Sequence, residues 1–122
     1  MLLCFLPALA QNYRLELTDS LPPAAGEMLL QRFAQMLEAG GLSVAEEGAP
    51  LQISARVKDR METPGTISQV ALQVDIRAVA GEVEEVFPVK GVGENEADAW
   101  LRAVKQILPR SKAALSFVDK LK

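Results

Sequence analysis

The sequence predicts an α+β fold: a two-layer sandwich whose mainly antiparallel sheet carries its helices on one face, in the order β-α-β-β-β-β-α. Three observations lead there. Apolar residues recur at helical spacing in two segments, one early and one late. The centre instead alternates apolar and polar residues at period two. Pro and Gly clusters separate these segments, with no low-complexity tract, linker or internal repeat. Alternation with a single apolar face means a sheet covered on one side, so the helices share that side.

Tyr13-Arg-Leu-Glu-Leu17 alternates and reads as the first strand. Ser20-Leu-Pro-Pro23 suits a helix entry, with Ser20 as cap and the prolines in the first turn, where no amide partner is lost. Met28, Leu29, Phe33, Met36 and Leu37 form the apolar stripe of that helix, opposite Glu27, Gln31, Arg32, Gln35 and Glu38. Gly40-Gly41 ends it. A brief strand over Leu42-Ser-Val-Ala-Glu46 follows, then a turn at Gly48-Ala-Pro50. Leu51, Ile53, Ala55 and Val57 alternate with polar neighbours, as do Val70, Leu72, Val74 and Ile76. Between them, Asp59 to Thr66 holds Pro64-Gly65 and reads as a longer hairpin loop. Gly81 marks a tighter turn into Val83 to Val92, where Pro88 favours an edge position or a bulge. Asn95 caps a C-terminal helix with the stripe Ala97, Trp100, Leu101, Val104, Ile107 and Leu108. Pro109 breaks or kinks it, and Ala114, Phe117, Val118 and Leu121 resume the stripe.

Residues 1–10 are an uncharged apolar run ending in Ala8-Leu9-Ala10, a small-x-small pattern suited to signal peptidase cleavage before Gln11. No Lys or Arg precedes the run and it is short, so a start further upstream is one reading. A buried N-terminal strand of a cytosolic protein and a lipoprotein acylated at Cys4 are the alternatives. Leu3 stands where a lipoprotein would carry a small residue before Cys4. The run is too short to span a membrane, which takes about 20 apolar residues. Cleavage leaves 11–122 as one α+β domain without cysteine or histidine, since the chain has one Cys and no His. A domain of this size buries roughly two thirds of its unfolded surface. At 49% hydrophobic and 24% charged residues the chain is a folded protein and not a disordered one. The expected place is the bacterial periplasm or the exterior.

That composition narrows the chemistry. Zinc lacks its ligands, and serine nucleophiles lack a histidine; Ser111-Lys112, as neighbours on a helix, point about 100° apart. Gly91-Val-Gly-Glu-Asn-Glu96 lies between strand and helix, where glycine loops cradle phosphate. Glu94, Glu96 and Asp98 already place negative charge there, and the third glycine is Glu96, so a structural turn is the reading. Glu46-Glu47 and Glu82, Glu84 and Glu85 are the acid clusters, with no second carboxylate facing them across a cleft. Asp59-Arg-Met-Glu-Thr63 carries competing cations at Lys58 and Arg60, which disfavours calcium. Trp100 and the Met28/Met36 pair fall on apolar stripes and read as core. No catalytic residue, cofactor or metal is expected.

Charge is unevenly placed. Arg102, Lys105, Arg110, Lys112, Lys120 and Lys122 face one acid, Asp119, a local +5 that leaves −8 for the remainder of a chain of net −3. The net charge of −3 argues against a general nucleic-acid binder, which would carry a basic surplus. Those six residues are the candidate interaction surface, for an anionic partner such as lipid headgroups or an acidic protein face; the plainer reading is a solvated helix face.

Pro88-Val-Lys-Gly-Val-Gly-Glu-Asn-Glu-Ala-Asp-Ala-Trp-Leu-Arg-Ala-Val-Lys105 runs from strand through Gly-x-Gly and a polar cap into a helix with regular alanines. The segment resembles the small α+β domains of bacterial envelope lipoproteins, including flagellar-assembly T-type proteins and the curli-secretion or penicillin-binding-protein-activator group. The likeness covers roughly the last third, carries over no functional residue, and implies a non-enzymatic assembly or accessory module. The leading expectation is therefore a non-catalytic accessory protein with an envelope protein partner, bound at the Val83 to Val92 strand edge or at the basic helix. The rival is a carrier of a small apolar or lipid ligand, in a cavity lined by Phe33, Leu72, Trp100 and Phe117. A carboxylate-based hydrolase stands third.

Overall fold

A computed structural model describes residues 12–65 and 69–122. The apolar leader at residues 1–10, with Cys4, lies outside the described residues, and the cleavage reading with it. The elements are β1 (Asn12–Leu17), α1 (Pro23–Ala39), β2 (Ser43–Val44), β3 (Ala49–Thr63), β4 (Gln69–Ala80), β5 (Val83–Gly93), α2 (Glu96–Val104) and α3 (Lys112–Leu121). The fold is α+β, as the periodicities imply.

The sheet is mixed, and the expectation of a mainly antiparallel sheet is corrected. Its order is β2-β1-β3-β4-β5, and β1 runs parallel to both neighbours. The physical reason lies in the connection. α1 carries the chain back over the sheet, so the strands after it start from the same end as β1. Only β3–β4 and β4–β5 are hairpins and therefore antiparallel. The five strands curl into a half-barrel.

α1 starts at Pro23 with Pro22 as its cap, and Ser20 makes no capping bond. Proline at the first position needs no amide partner, so the start tolerates the missing side-chain cap. At the other end Leu42 N–H bonds Leu37 O (2.9 Å) and Gly41 N–H bonds Glu38 O (3.1 Å). Gly41 holds φ +84° between them, which makes this a Schellman cap closed by buried Leu42. The brief strand shrinks to Ser43–Val44. The chain then crosses β1 at Gly48, where an added Cβ would lie 2.7 Å from backbone atoms of Asn12 and Tyr13.

The stretch expected as a loop from Asp59 to Thr66 is strand as far as Thr63. A bulge between Val57 and Asp59 shifts the β3–β4 register. The extra residue reverses which side chains face the helices, so Arg60 and Glu62, paired with Leu72 and Val70, continue that face. The alternation breaks there although the strand does not.

α2 is capped by Asn95, whose side chain accepts from Asp98 N at 2.8 Å. It ends at Val104, before Pro109, and its buried face is Ala99, Trp100, Ala103 and Val104. Ala97 and Leu108 of the expected stripe are exposed and Leu101 is half-buried. The cause is β5. A Cβ on Gly91 would overlap Ala99 O and Ala103 N, and one on Gly93 would sit 2.6 Å from Ala99 N. The two glycines let the alanine face of α2 press backbone to backbone onto the strand. Ser111 caps α3 through Ala114 N (3.2 Å), and Ala114, Phe117, Val118 and Leu121 are buried as expected. Phe33 of α1, Phe87 of β5 and Phe117 of α3 meet edge to face, with centroids 5.4, 6.1 and 6.3 Å apart. This triad joins three elements at the centre of the core.

Candidate functional site

Backbone direction decides which sheet edge can accept another strand. On β5, Lys90 donates its N–H to Gln106 Oε1 (2.9 Å), so that amide faces away from β4. Alternation turns the backbones of Glu84, Val86, Pro88 and Val92 outward with it. Pro88 has no N–H to offer, and Gln106 has taken that of Lys90. Just beyond, Glu94 N–H is bonded by Asp98 Oδ2 (3.3 Å). The edge expected to bind a partner is therefore blunted along its second half, a common defence against unwanted pairing.

On the opposite edge, part of β1 has no strand partner among the described residues. Tyr13 O accepts from Ala45 N (3.0 Å), whereas Thr18 N–H bonds Ile53 O on the other side. Leu15 and Leu17 share the parity of Tyr13, so their N–H and C=O groups face the β2 side. β2 pairs only with Asn12 and Tyr13. Beyond that point no described strand pairs with this side of β1. Beside it runs a shallow groove of about 470 Å³, lined by Leu15, Leu30, Ala34, Ala45 and Val44, with Arg14, Gln31 and Glu46 at its rim. Sequence reasoning missed this site. The signal available was Leu30 and Ala34, an i, i+4 apolar pair off the core stripe of α1, next to a strand too short to cover β1.

The six basic residues of the candidate surface do not act as one patch. Arg102 pairs with Asp98 (3.3 Å) one helical turn away, and Lys120 with Glu85 on β5 (3.0 Å). Lys105, Arg110, Lys112 and Lys122 are exposed and make no ion pair among the described residues.

Of the acid clusters, Glu84 and Glu85 make surface ion pairs, whereas Glu46, Glu47 and Glu82 make none among the described residues. Arg77 donates to Glu84 across the β4–β5 hairpin (2.5 Å); that bond holds the Glu84 carboxyl below its ordinary value and raises the Arg77 guanidinium. Arg60 reaches Glu96 at the start of α2 (2.9 Å) and Glu62 (3.4 Å), and Glu96 is the main cause of its raised pKa. Among the described residues no three His, Cys, Asp or Glu side chains stand where they could hold a metal ion. Gly91 and Gly93 belong to strand β5, not to a turn, and meet helix backbone. The Ser111 hydroxyl is spent on its cap.

Phe33, Leu72, Trp100 and Phe117, the residues expected to line a carrier's cavity, are all packed in the core. The best-formed hollows open on the surface, and Phe33, Trp100 and Phe117 line none of them. No helix among the described residues is long and apolar enough to cross a membrane.

Neither a family pattern nor a curated relative matches the sequence. Solved structures similar to this chain include a minor lipoprotein from Acinetobacter baumannii, 12% identical, covering 88% of this chain and 96% of that one with a TM-score of 0.46. The PelC dodecamer from Paraburkholderia phytofirmans is 16% identical over 93% of this chain and 86% of its own, with a TM-score of 0.36. A hypothetical protein from Chlamydia trachomatis is 10% identical over 90% and 91%, with a TM-score of 0.35.

Proposed function

We propose that this protein is an exported, non-catalytic accessory module of the bacterial cell envelope that binds a partner protein by strand addition at β1. The observation that carries the binding mode is the stretch of β1 at Leu15 and Leu17 that no described strand pairs on the β2 side, beside an apolar groove. An extended partner segment supplies main-chain hydrogen bonds to those two residues, and alternate apolar side chains enter the space between Leu15, Leu30 and Ala34. The small-x-small leader supports export. The filled core favours this over a carrier of an enclosed ligand.

The test is site-specific photo-crosslinking in the native envelope from Val44, at the groove, and from Val86, on the β5 edge ahead of its blunted half. The captured complex is then purified for hydrogen exchange. Crosslinking from Val44 with slowed exchange at the Leu15 and Leu17 amides is the expected result. A partner captured from Val86 alone, or a complex in which those two amides exchange as in the free protein, refutes strand addition at β1.

A further inference from the structure

Only two leucines among the described residues are exposed, and both sit at the junction of α2 and α3. Leu108 is 55% and Leu115 54% exposed. Ser111 N–H bonds Leu108 O (3.0 Å), and Leu115 N–H bonds Ser111 O (2.9 Å). The two leucines therefore stand on successive turns of one corner. Lys105, Arg110 and Lys112 flank them, exposed and outside every ion pair among the described residues. Asp119 is the one acid on α3.

We propose that this corner seats the protein on an anionic lipid surface, with Leu108 and Leu115 entering the headgroup boundary and Lys105, Arg110 and Lys112 meeting lipid phosphates. Neither leucine lines a hollow. Exposed leucines with unneutralised cations on either side of them in the chain suit an interface that has no shape of its own. An acidic protein face would call instead for a groove or for directed polar contacts. Charge complementarity favours the same surface: Arg102 and Lys120 are paired with Asp98 and Glu85, which leaves Lys105, Arg110 and Lys112 as unneutralised cations beside the leucines. An anionic sheet of lipid attracts these three cations. The surface lies apart from the β1 groove, so the two readings stand or fall separately.

The test is cosedimentation of the full chain with vesicles of phosphatidylcholine alone and of phosphatidylcholine mixed with phosphatidylglycerol. Two variants run beside it, L108S/L115S and K105E/R110E/K112E, each checked for native circular dichroism. Both keep the leader, so any difference belongs to the corner. The parent should bind only the anionic vesicles, and more weakly in high salt. The leucine variant should lose about tenfold in partitioning, and the charge-reversed variant should not bind. Absence of parent binding to anionic vesicles overturns the proposal, as does binding of either variant equal to the parent's. Recovery of a protein partner through this corner, while vesicles are ignored, overturns it in favour of an acidic protein face.

Discussion

The contact between α2 and β5 makes the sharpest claim on stability, and Gly91→Ala tests it. The new methyl overlaps Ala99 O and Ala103 N and comes within 3.0 Å of Ala103 Cα. All three are helix backbone atoms, so no rotamer change relieves the contact and α2 as a unit must retreat from the strand. A retreat of even 1 Å forfeits about a quarter to a half of the dispersion attraction across the contact. The side chains affected are Trp100 and Val104, buried on that helix face. Adding strain to lost packing gives an expected destabilisation of roughly 3 kcal/mol, the upper end for overpacking. The assay is urea unfolding followed by circular dichroism, with the fluorescence of Trp100, the single tryptophan, as a local probe of the same contact. The native emission should shift as the helix moves. Ala103→Gly should fail to rescue the variant, because it removes a methyl group and not the offending backbone. Stability within about 0.5 kcal/mol of the parent would refute the reasoning.

Other outcomes follow from individual contacts. Asn95→Ala removes the acceptor for Asp98 N–H and should cost about 1 kcal/mol in the same urea assay. Phe117→Ala removes one ring of the aromatic triad and should cost about 3–5 kcal/mol, read as an earlier urea midpoint at unchanged slope. For pH, the Glu84 carboxyl is depressed in the folded protein by Arg77. Its contribution is therefore present above the ordinary value of 4.5 and is lost as pH falls through the lower folded value. Glu84→Gln should accordingly lower the urea midpoint slightly at neutral pH and leave it unchanged in strong acid. Because the pair is exposed, the difference should fade in high salt.

Legibility in the sequence divides by range. The apolar stripe of α1, the Asn95 cap and the buried set Ala114, Phe117, Val118 and Leu121 are local patterns and came through as read. The Asp59–Thr63 segment was misread because one extra residue at the bulge breaks the alternation while the ladder continues. The buried face of α2 was misread because hydropathy ranks leucine above alanine. The strand glycines instead made Ala99 and Ala103 the closest contacts. Of the candidate surface, the six cations were visible by count, but which of them are neutralised was not. Asp98 lies one turn from Arg102 and could be guessed; Glu85 is 35 residues from Lys120.

The sequence by itself determined the order of helices and strands, the inward faces of α1 and α3, and how unevenly charge is distributed along the chain, because each follows from residues within a few positions of one another. Only the tertiary structure decided that β1 sits parallel between β2 and β3, that no described strand pairs with its β2 side beyond Tyr13, and that β5 is blunted by Gln106. Those outcomes depend on which distant segments become neighbours. Periodicity fixes the face a side chain takes, and it is silent on the strand that will lie beside it.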